Sequence, residues 1–207
     1  MANSLTGNLF IITAASGAGK TSLVKAILKN NPNITLSISY TTRPPRPGEE
    51  DGIDYRFINE TTFLEMQANN VFLETAQCHG ALYGTSKQII QKTIETGADI
   101  ILEIDWQGAF SVKSIYPEAI SVFILPPSME ALQARLKNRG QDSEETIIKR
   151  LAAAKDEMSH LEKFDYVTIN DDFDCALKEL EVIIKSETLK TQKQIQRHHA
   201  LINELRK

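Results

Sequence analysis

Apolar and polar positions follow two patterns that alternate along the chain. Short apolar runs at residues 9–13, 100–104 and 121–125 are typical of strands that are buried on both faces. Other segments carry apolar residues three and four positions apart, and the stretch 147–161 places its apolar residues on one helix face. Because strands alternate with helices, the pattern predicts an α/β protein with a parallel central sheet covered by helices.

The remaining segments complete this prediction. They are a helix over about 20–29, strands over 34–40, 55–58, 71–78 and 166–170, a short helix after Thr61, helices capped by Ser86 and Ser128, and a long C-terminal helix. Proline-rich residues 44–48 predict a loop, and polar residues 139–143 predict a mobile one. Beyond Ser186 the apolar stripe of the last helix thins, so this end lies either on the surface or against a partner subunit of a homo-oligomer.

The composition narrows the class of protein. The chain has 207 residues, of which 42% are hydrophobic and 24% are charged. This balance predicts one compact domain and excludes wholesale disorder, a fibrous protein and a miniprotein held by disulfides. The formal net charge of −4 gives the chain no general attraction for nucleic acid, so no nucleic acid is expected as a partner.

The sequence predicts a cytoplasmic location. No apolar run reaches the length of a membrane span, so no membrane partner is expected. Residues 9–15 are apolar, but the first Lys or Arg is Lys20, and a secretory signal needs positive charge before its apolar core. The two cysteines, Cys78 and Cys175, lie far apart, which suits a reducing compartment and gives no zinc-site spacing.

The segment between the first strand and the first helix has the pattern of a phosphate-binding loop. Gly17 and Gly19 permit a tight turn whose backbone N–H groups converge on an anion at the helix N-terminus. In such a loop, Lys20 reaches the β and γ phosphates and the Thr21 hydroxyl binds Mg²⁺. The residues predicted to bind the nucleotide are Ala14, Ala15, Ser16, Gly17, Ala18, Gly19, Lys20, Thr21 and Ser22.

Two acids follow the apolar run at 100–104. The period of a strand places Glu103 and Asp105 on one side, at the strand's C-terminal end, where open α/β sheets bind their ligands. An acid there either holds Mg²⁺ through water or accepts a hydrogen bond from a substrate. The pattern fits two solvated carboxylates equally well.

The proline-rich loop places Arg43 and Arg46 three positions apart. Together with a downstream tyrosine hydroxyl, their guanidinium groups can form a phosphate clamp, although a solvated basic turn is the commoner fate of such a loop taken alone. A longer, gapped pattern changes this balance, because at this point the sequence resembles the guanylate kinase family. The residues that carry the resemblance are Thr41, Thr42, Arg43, Arg46, Glu49, Gly52, Tyr55 and Phe57.

The resemblance extends from Leu9 to about Ile184 and includes the segments 83–85 and 105–108. It implies ATP-dependent phosphorylation of GMP or dGMP to the diphosphate by direct in-line transfer, with ATP as the phosphoryl donor and Mg²⁺ as cofactor. It also implies a P-loop three-layer fold with a parallel central sheet, a small mixed GMP-binding lobe and a short lid. The single domain 1–207 would then divide into a core (1–33, 86–134 and 151–207), the lobe (about 34–85) and the lid (about 135–150).

The resemblance also implies roles for individual residues. Around the phosphate and ribose of GMP it places Ser39, Arg43, Arg46, Tyr55 and Tyr83. Against the guanine it places Glu74, Thr85 and Asp105. Over the transferring phosphoryl group it places Arg135, Arg139 and Arg150, which join Lys20 and Arg43 as the predicted catalytic residues. Near the adenine it places Asn170.

Two positions depart from the family's usual pattern. Ala14 replaces the first glycine of the loop, and Glu103 stands where the family commonly has Asp, so its part in the metal shell beside Thr21 is an open question. Two other functions stay open beside the enzyme. One is a non-catalytic guanylate-kinase-like binding module, although Lys20 and the lid arginines favour catalysis. The other is a kinase for a different nucleotide, against which Glu74 and the Arg43 loop argue.

Overall fold

The computed structural model describes residues 6–78, 80–138 and 143–207. Its strands are β1 Leu9–Ala14, β2 Ile34–Leu36, β3 Tyr40–Thr41, β4 Arg56–Phe57, β5 Phe72–Cys78, β6 Ala81–Ser86, β7 Asp99–Glu103, β8 Ile120–Leu125 and β9 Tyr166–Ile169. Its helices are α1 Lys20–Asn30, α2 Glu60–Ala68, α3 Lys87–Glu95, α4 Trp106–Ile115, α5 Met129–Asn138, α6 Glu144–Ser159, α7 Phe173–Thr188, α8 Thr191–Arg197 and α9 His199–Leu205, with a 3₁₀ turn at Leu161–Lys163.

The predicted parallel sheet is present as five strands in the order β2-β7-β1-β8-β9. Its central strand β1 is buried on both faces, as its apolar run predicted. Phe10 and Ile12 belong to a core shared with α1, α5, α6 and α7. Leu9 and Ile11 face the other way, into a core shared with α3 and α4. The molecule therefore has three layers, and the C-terminal ends of the parallel strands meet at one edge.

A second sheet of four strands has the order β4-β3-β6-β5 and mixes parallel and antiparallel pairs. The prediction of one strand over 34–40 is wrong, because the two ends of this segment belong to different sheets. The Ser37 N–H still donates to the Ile101 carbonyl of the central sheet (2.9 Å), whereas the Ser39 carbonyl accepts from the Arg56 N–H of the second (2.8 Å). The chain thus changes sheets between these two serines, and this change carries residues after 37 towards the second sheet.

Strand β6 was not predicted from the sequence, and it pairs with both β5 and β3. Its centre is Gly84, a residue that weakens strand patterns. A Cβ atom at Gly84 would lie 2.9 Å from the ring of Phe72, so the close approach of this ring explains the glycine. The lack of a side chain at Gly84 weakened the strand pattern in the sequence. The same lack of a side chain allows β6 to pack against Phe72 of β5.

The C-terminal helix is also shorter than predicted. It ends at Thr188 and is followed by the separate helices α8 and α9. Helix α7 buries Ala176, Leu180 and Ile184, whereas neither α8 nor α9 contains a buried residue. The thinning apolar stripe therefore marks the end of the packed helix. None of the helices that the structure describes has both the length and the apolar character that a membrane span requires.

Candidate nucleotide-binding site

The predicted phosphate loop connects the C-terminal end of β1 to the first residue of α1. Gly17 and Gly19 have φ values of 99° and 102°, a region that side chains with a Cβ rarely enter. At Gly19 there is also no space, because a Cβ atom would lie 2.4 Å from the Asn170 Nδ2 atom. The tight turn that the glycines predicted is therefore present, and it directs the N-terminus of α1 into a cleft.

Two side chains at the start of α1 point to the end of β7. The Lys20 Nζ atom donates to the carbonyl of Ile104 at 3.0 Å, and the Thr21 hydroxyl donates to Glu103 Oε1 at 2.5 Å. Because β1 and β7 are parallel neighbours, their C-terminal ends bring the loop and the acid together. The structure thus groups an ammonium, a hydroxyl and a carboxylate at the edge where ligands of such sheets bind.

Asn170 and Arg135 support the outer side of the loop. The buried Asn170 side chain donates from Nδ2 to the Ala18 carbonyl at 2.7 Å. The Arg135 guanidinium donates to the same carbonyl at 3.3 Å and to the Asn170 carbonyl at 2.8 Å. Both residues therefore hold the loop from the side of α5 and β9.

Helix α6 reaches the loop from another side, at Ser16. Both Nε and Nη2 of Arg150 lie within hydrogen-bond distance of the Ser16 hydroxyl, at 3.1 Å and 2.9 Å. Two helical turns later, the Glu157 carboxylate accepts a hydrogen bond from the Ser16 N–H at 2.8 Å. Sequence analysis did not single out Glu157. Its spacing of seven residues from Arg150, which places both on one helix face, is the signal that could have found it.

Across the cleft, Glu74 and Thr85 form a buried polar pair on neighbouring strands β5 and β6. The Thr85 hydroxyl donates to Glu74 Oε1 at 2.5 Å, and both residues are buried. The other carboxylate oxygen lies against α4, where a Cβ atom at Gly108 would approach it to 2.8 Å. Backbone packing and one hydrogen bond therefore fix the orientation of this carboxylate, which lines the cleft.

Burial dominates the electrostatics of Glu74. Its pKa is raised to about 7, chiefly by desolvation and to a smaller extent by the nearby Asp105, while the Thr85 hydrogen bond opposes the shift. The period of a strand implied that Asp105 lies at the end of β7, on the same side as Glu103. Instead, Asp105 is the N-cap of α4, and its side chain accepts a hydrogen bond from the Gly108 N–H at 2.8 Å. Because the chain leaves β7 after Glu103, Asp105 lies near Glu74 instead of continuing the strand.

The predicted arginine clamp is organised by a neighbouring acid. Arg43 donates through both terminal nitrogens to Glu49 at 2.8 Å and 2.9 Å, and its guanidinium lies 5.2 Å from the centre of the Tyr55 ring. This pairing holds the pKa of Glu49 below its usual range. Tyr55 and Tyr83 line the cleft with ring centres 6.0 Å apart. Arg46 is exposed in the loop, and its N–H donates to Glu49 at 2.7 Å.

One cleft joins most of the predicted residues. Those that line it are Ala14, Ala15, Ser16, Gly17, Gly19, Lys20, Thr21, Ser39, Tyr55, Glu74, Tyr83, Glu103, Asp105 and Arg150. Thr85 lies directly behind Glu74, and Ala18 is buried behind the loop. Ser22 is exposed on α1. Arg139 lies outside the described residues. The lining also includes residues that were not predicted, namely Ala76, Cys78, Ile104 and Glu157.

Comparison with known proteins agrees with this geometry. The model of the family described as guanylate kinase matches residues 6–187, which is most of the chain. The chain belongs to the guanylate kinase family. A guanylate kinase of Methylobacillus flagellatus is 57% identical over 97% of this chain and 100% of its own length. The guanylate kinase of Escherichia coli K12 is 51% identical over 96% of this chain and 97% of its own.

Among solved structures, the guanylate kinase of Anaplasma phagocytophilum matches with a TM-score of 0.75 and 31% identity, over 90% of this chain and 89% of that one. This similarity confirms the predicted P-loop fold of the guanylate kinase family.

Ala14, which departs from the usual glycine of this family's loop, should be tolerated. It is the last residue of β1, and it is not among the residues with positive φ, so its Cβ causes no backbone strain. We expect Ala14→Gly to change kcat/KM less than about threefold, whereas Gly19→Ala should lower it at least about tenfold because of strain and the contact with Asn170. Steady-state assays of both variants, with melting temperatures to check folding, test the contrast. A large gain in Ala14→Gly would show that the natural loop is impaired.

Proposed function

We propose that this member of the guanylate kinase family transfers the γ-phosphoryl group of ATP to GMP or dGMP and releases GDP or dGDP. The observation that carries the proposal is one cleft lined by two different groups of residues. One group is the phosphate loop with Lys20, and the other includes the buried Glu74, whose orientation Thr85 fixes. One cleft therefore offers groups for a donor phosphate and for an acceptor base.

On the acceptor side, the guanine is assigned to the carboxylate of Glu74, with Asp105 and Thr85 beside it. Guanine presents two adjacent donors, N1–H and the N2 amino group, which suit a fixed carboxylate. The phosphate and ribose of GMP are assigned to Ser39, Arg43, Arg46, Tyr55 and Tyr83. Glu49 holds the Arg43 guanidinium against Tyr55, which lines the cleft, so this group is already oriented.

On the donor side, the chemistry needs positioning and charge more than a nucleophilic side chain. Phosphoryl transfer passes through a loose transition state whose negative charge is spread over the phosphoryl oxygens. Lys20 and Arg150 line the cleft next to the loop and supply positive charge there. Arg135 and Asn170 support the loop and are assigned to the transferring group and the adenine, respectively. Arg139 is assigned with them on the family resemblance alone.

Mg²⁺ fits the oxygen atoms at the start of α1. The Thr21 hydroxyl and the Glu103 carboxylate lie 2.5 Å apart, and both are hard oxygen ligands of the kind that Mg²⁺ prefers. Among the described residues, no group of three or more His, Cys, Asp or Glu side chains is arranged to hold a metal. Mg²⁺ usually takes few protein ligands and completes its shell with water and substrate phosphates. Thr21 would hold the ion and Glu103 would act through water, and the ion would offset phosphate charge.

The remaining assignments rest on the same reaction. Its substrates place it in purine nucleotide metabolism, and the cytoplasm is the location where they are expected. The GMP-binding lobe over about 34–85 contains β3, β4 and β5 of the second sheet, and the lid is assigned to about 135–150. A homo-oligomer through the C-terminal helices would use exposed apolar residues such as Val182, Leu201 and Leu205.

A coupled assay of ADP release across GMP, dGMP, AMP, UMP and CMP tests the function. We expect turnover with GMP and dGMP, and a preference over AMP of about 10⁴ in kcat/KM, because a site built on buried hydrogen bonds rejects analogues that lack the matching donors. Turnover of another monophosphate with equal efficiency would favour a different nucleotide kinase. ATP and GMP binding without turnover would favour a binding module.

A further inference from the structure

Glu157 is the charged group of the cleft that the proposed reaction does not use. It is half-buried on α6, and its carboxylate accepts the Ser16 N–H at 2.8 Å. Ser16 is part of the phosphate loop, whose N–H groups are the anion-binding elements of such sites. A protein carboxylate therefore takes one of the donors that a loop of this kind offers to phosphate.

The surroundings of Glu157 resemble those that a phosphate needs. The positive charges of Lys20 on α1 and Arg150 on α6 interact with the Glu157 carboxylate, as does the negative charge of Asp105 next to α4. Cys78 of β5 faces the same cleft and is coupled electrostatically to Glu157. A carboxylate in this place partly neutralises the two cations that the proposed function assigns to the phosphoryl group.

We propose that Glu157 competes with the donor phosphates for the phosphate loop, so that ATP must displace it from the Ser16 N–H to bind fully. The proposal rests on the proposed function, because it assumes that ATP phosphates enter this loop. One N–H makes one strong hydrogen bond, and two anions cannot share the same small region without repulsion. Displacement of Glu157 would remove the negative charge that partly neutralises Lys20 and Arg150.

The protonation of Glu157 should follow from the same geometry. Burial raises its pKa, and the Ser16 N–H, Lys20 and Arg150 oppose that shift. A protonated Glu157 carries no charge, so it competes less with a phosphate. Acidification should therefore weaken the competition, and the effect should be absent from a variant that lacks the carboxylate.

The decisive variant is Glu157→Gln, which keeps one oxygen that can accept the Ser16 N–H, removes the charge and replaces the second oxygen with an NH₂ group. We expect its dissociation constant for ATP, measured by calorimetry without GMP, to be about threefold to tenfold smaller than that of the wild type at about pH 8. As the pH is lowered towards the raised pKa of Glu157, the difference should shrink, since the wild-type carboxylate takes up a proton. Protonation of ATP itself affects both proteins alike and cancels in the comparison.

Glu145→Gln is the matched control. It makes the same change of charge on the same helix, but it lies in the segment assigned to the lid and pairs with Lys149, so it controls for charge alone; Asp156→Asn, at an exposed position of α6 outside that segment, is the second control and should leave ATP affinity unchanged. If the wild type binds ATP and Glu157→Gln binds it equally or more weakly, competition is ruled out, and weaker binding would show that Glu157 supports the loop instead. If the wild type does not bind ATP at all, the proposed function fails first. Melting temperatures establish that the variants are folded.

Discussion

Lys20→Ala should lower kcat by about 100-fold to 1,000-fold, the usual effect of removing one preorganised charge from a transition state. Lys20 is the first residue of α1, follows the left-handed Gly19, and lines the cleft. The reacting phosphoryl group gathers negative charge, and without Lys20 no other ammonium at the start of α1 can offset it. Rapid-quench measurements of a single turnover, with ATP and GMP saturating, report this step directly.

The fold should survive this substitution. Alanine is the best helix former, so α1 can still begin at this position. The Ile104 carbonyl that accepts from Lys20 also accepts from the Thr13 hydroxyl at 3.1 Å, so it keeps a partner when the ammonium is removed. Lys29→Ala, at the exposed end of the same helix, is the control and should keep normal turnover. Near-normal turnover in Lys20→Ala would contradict the role assigned to the loop.

The parts of the fold that the sequence predicted are those with a strong local signal. The strand β1 has no polar residue in its first four positions, and the glycines that follow it permit the tight turn that the structure shows. The second sheet was harder to predict, because β3 and β4 have only two residues each and Gly84 interrupts the pattern of β6. The change of sheet between Ser37 and Ser39 depends on which neighbouring strand accepts the backbone hydrogen bonds, and no local pattern encodes this.

The site shows the same division between local and long-range information. The loop from Ala14 to Thr21 is continuous in sequence, so its pattern was sufficient. Glu157 comes 141 positions after Ser16, and only the packing of α6 brings them together. The pairing of Arg43 with Glu49 is local, but the position of the guanidinium against Tyr55, which directly precedes β4, follows from the tertiary structure. The sequence therefore indicated which residues form the site. It did not indicate that other protein groups already bind some of them, as Glu157 binds Ser16 and Glu49 binds Arg43.

Glu74→Gln should lower kcat/KM for GMP by about 100-fold or more, because the amide offers one acceptor where the carboxylate offers two and turns an NH₂ donor towards a base that also donates. ATP binding should change much less, since Glu74 belongs to β5 of the second sheet and not to the phosphate loop. Specificity constants for GMP and AMP in both proteins measure the effect. Glu65→Gln, an exposed position on α2 of the same region, is the control. An unchanged preference for GMP would show that Glu74 does not bind the base.

The pH dependence separates this role from a purely structural one. The pKa of Glu74 is about 7 in the folded protein, above the usual value of 4.5, because burial disfavours its charged form. The folded state therefore holds a proton that the unfolded state has lost, so the stability that this group contributes is full below the usual pKa and is lost as the pH rises through about 7. Above that pH, the buried charge costs up to about 3 kcal/mol, which Gln avoids.

As the pH rises, the stability of the wild type should therefore fall while its efficiency with GMP increases. From about pH 6 to about pH 8, the melting temperature of the wild type should fall relative to that of Glu74→Gln, because Glu74 becomes charged inside the protein. Over the same range, kcat/KM for GMP should rise in the wild type, by at most about tenfold per pH unit below 7, because only the ionised carboxylate accepts from both guanine donors. The phosphate of GMP titrates in both proteins and cancels in their ratio. A wild type whose GMP efficiency does not rise over this range relative to the variant would mean that the charge of Glu74 is not used to bind guanine, whatever it costs in stability.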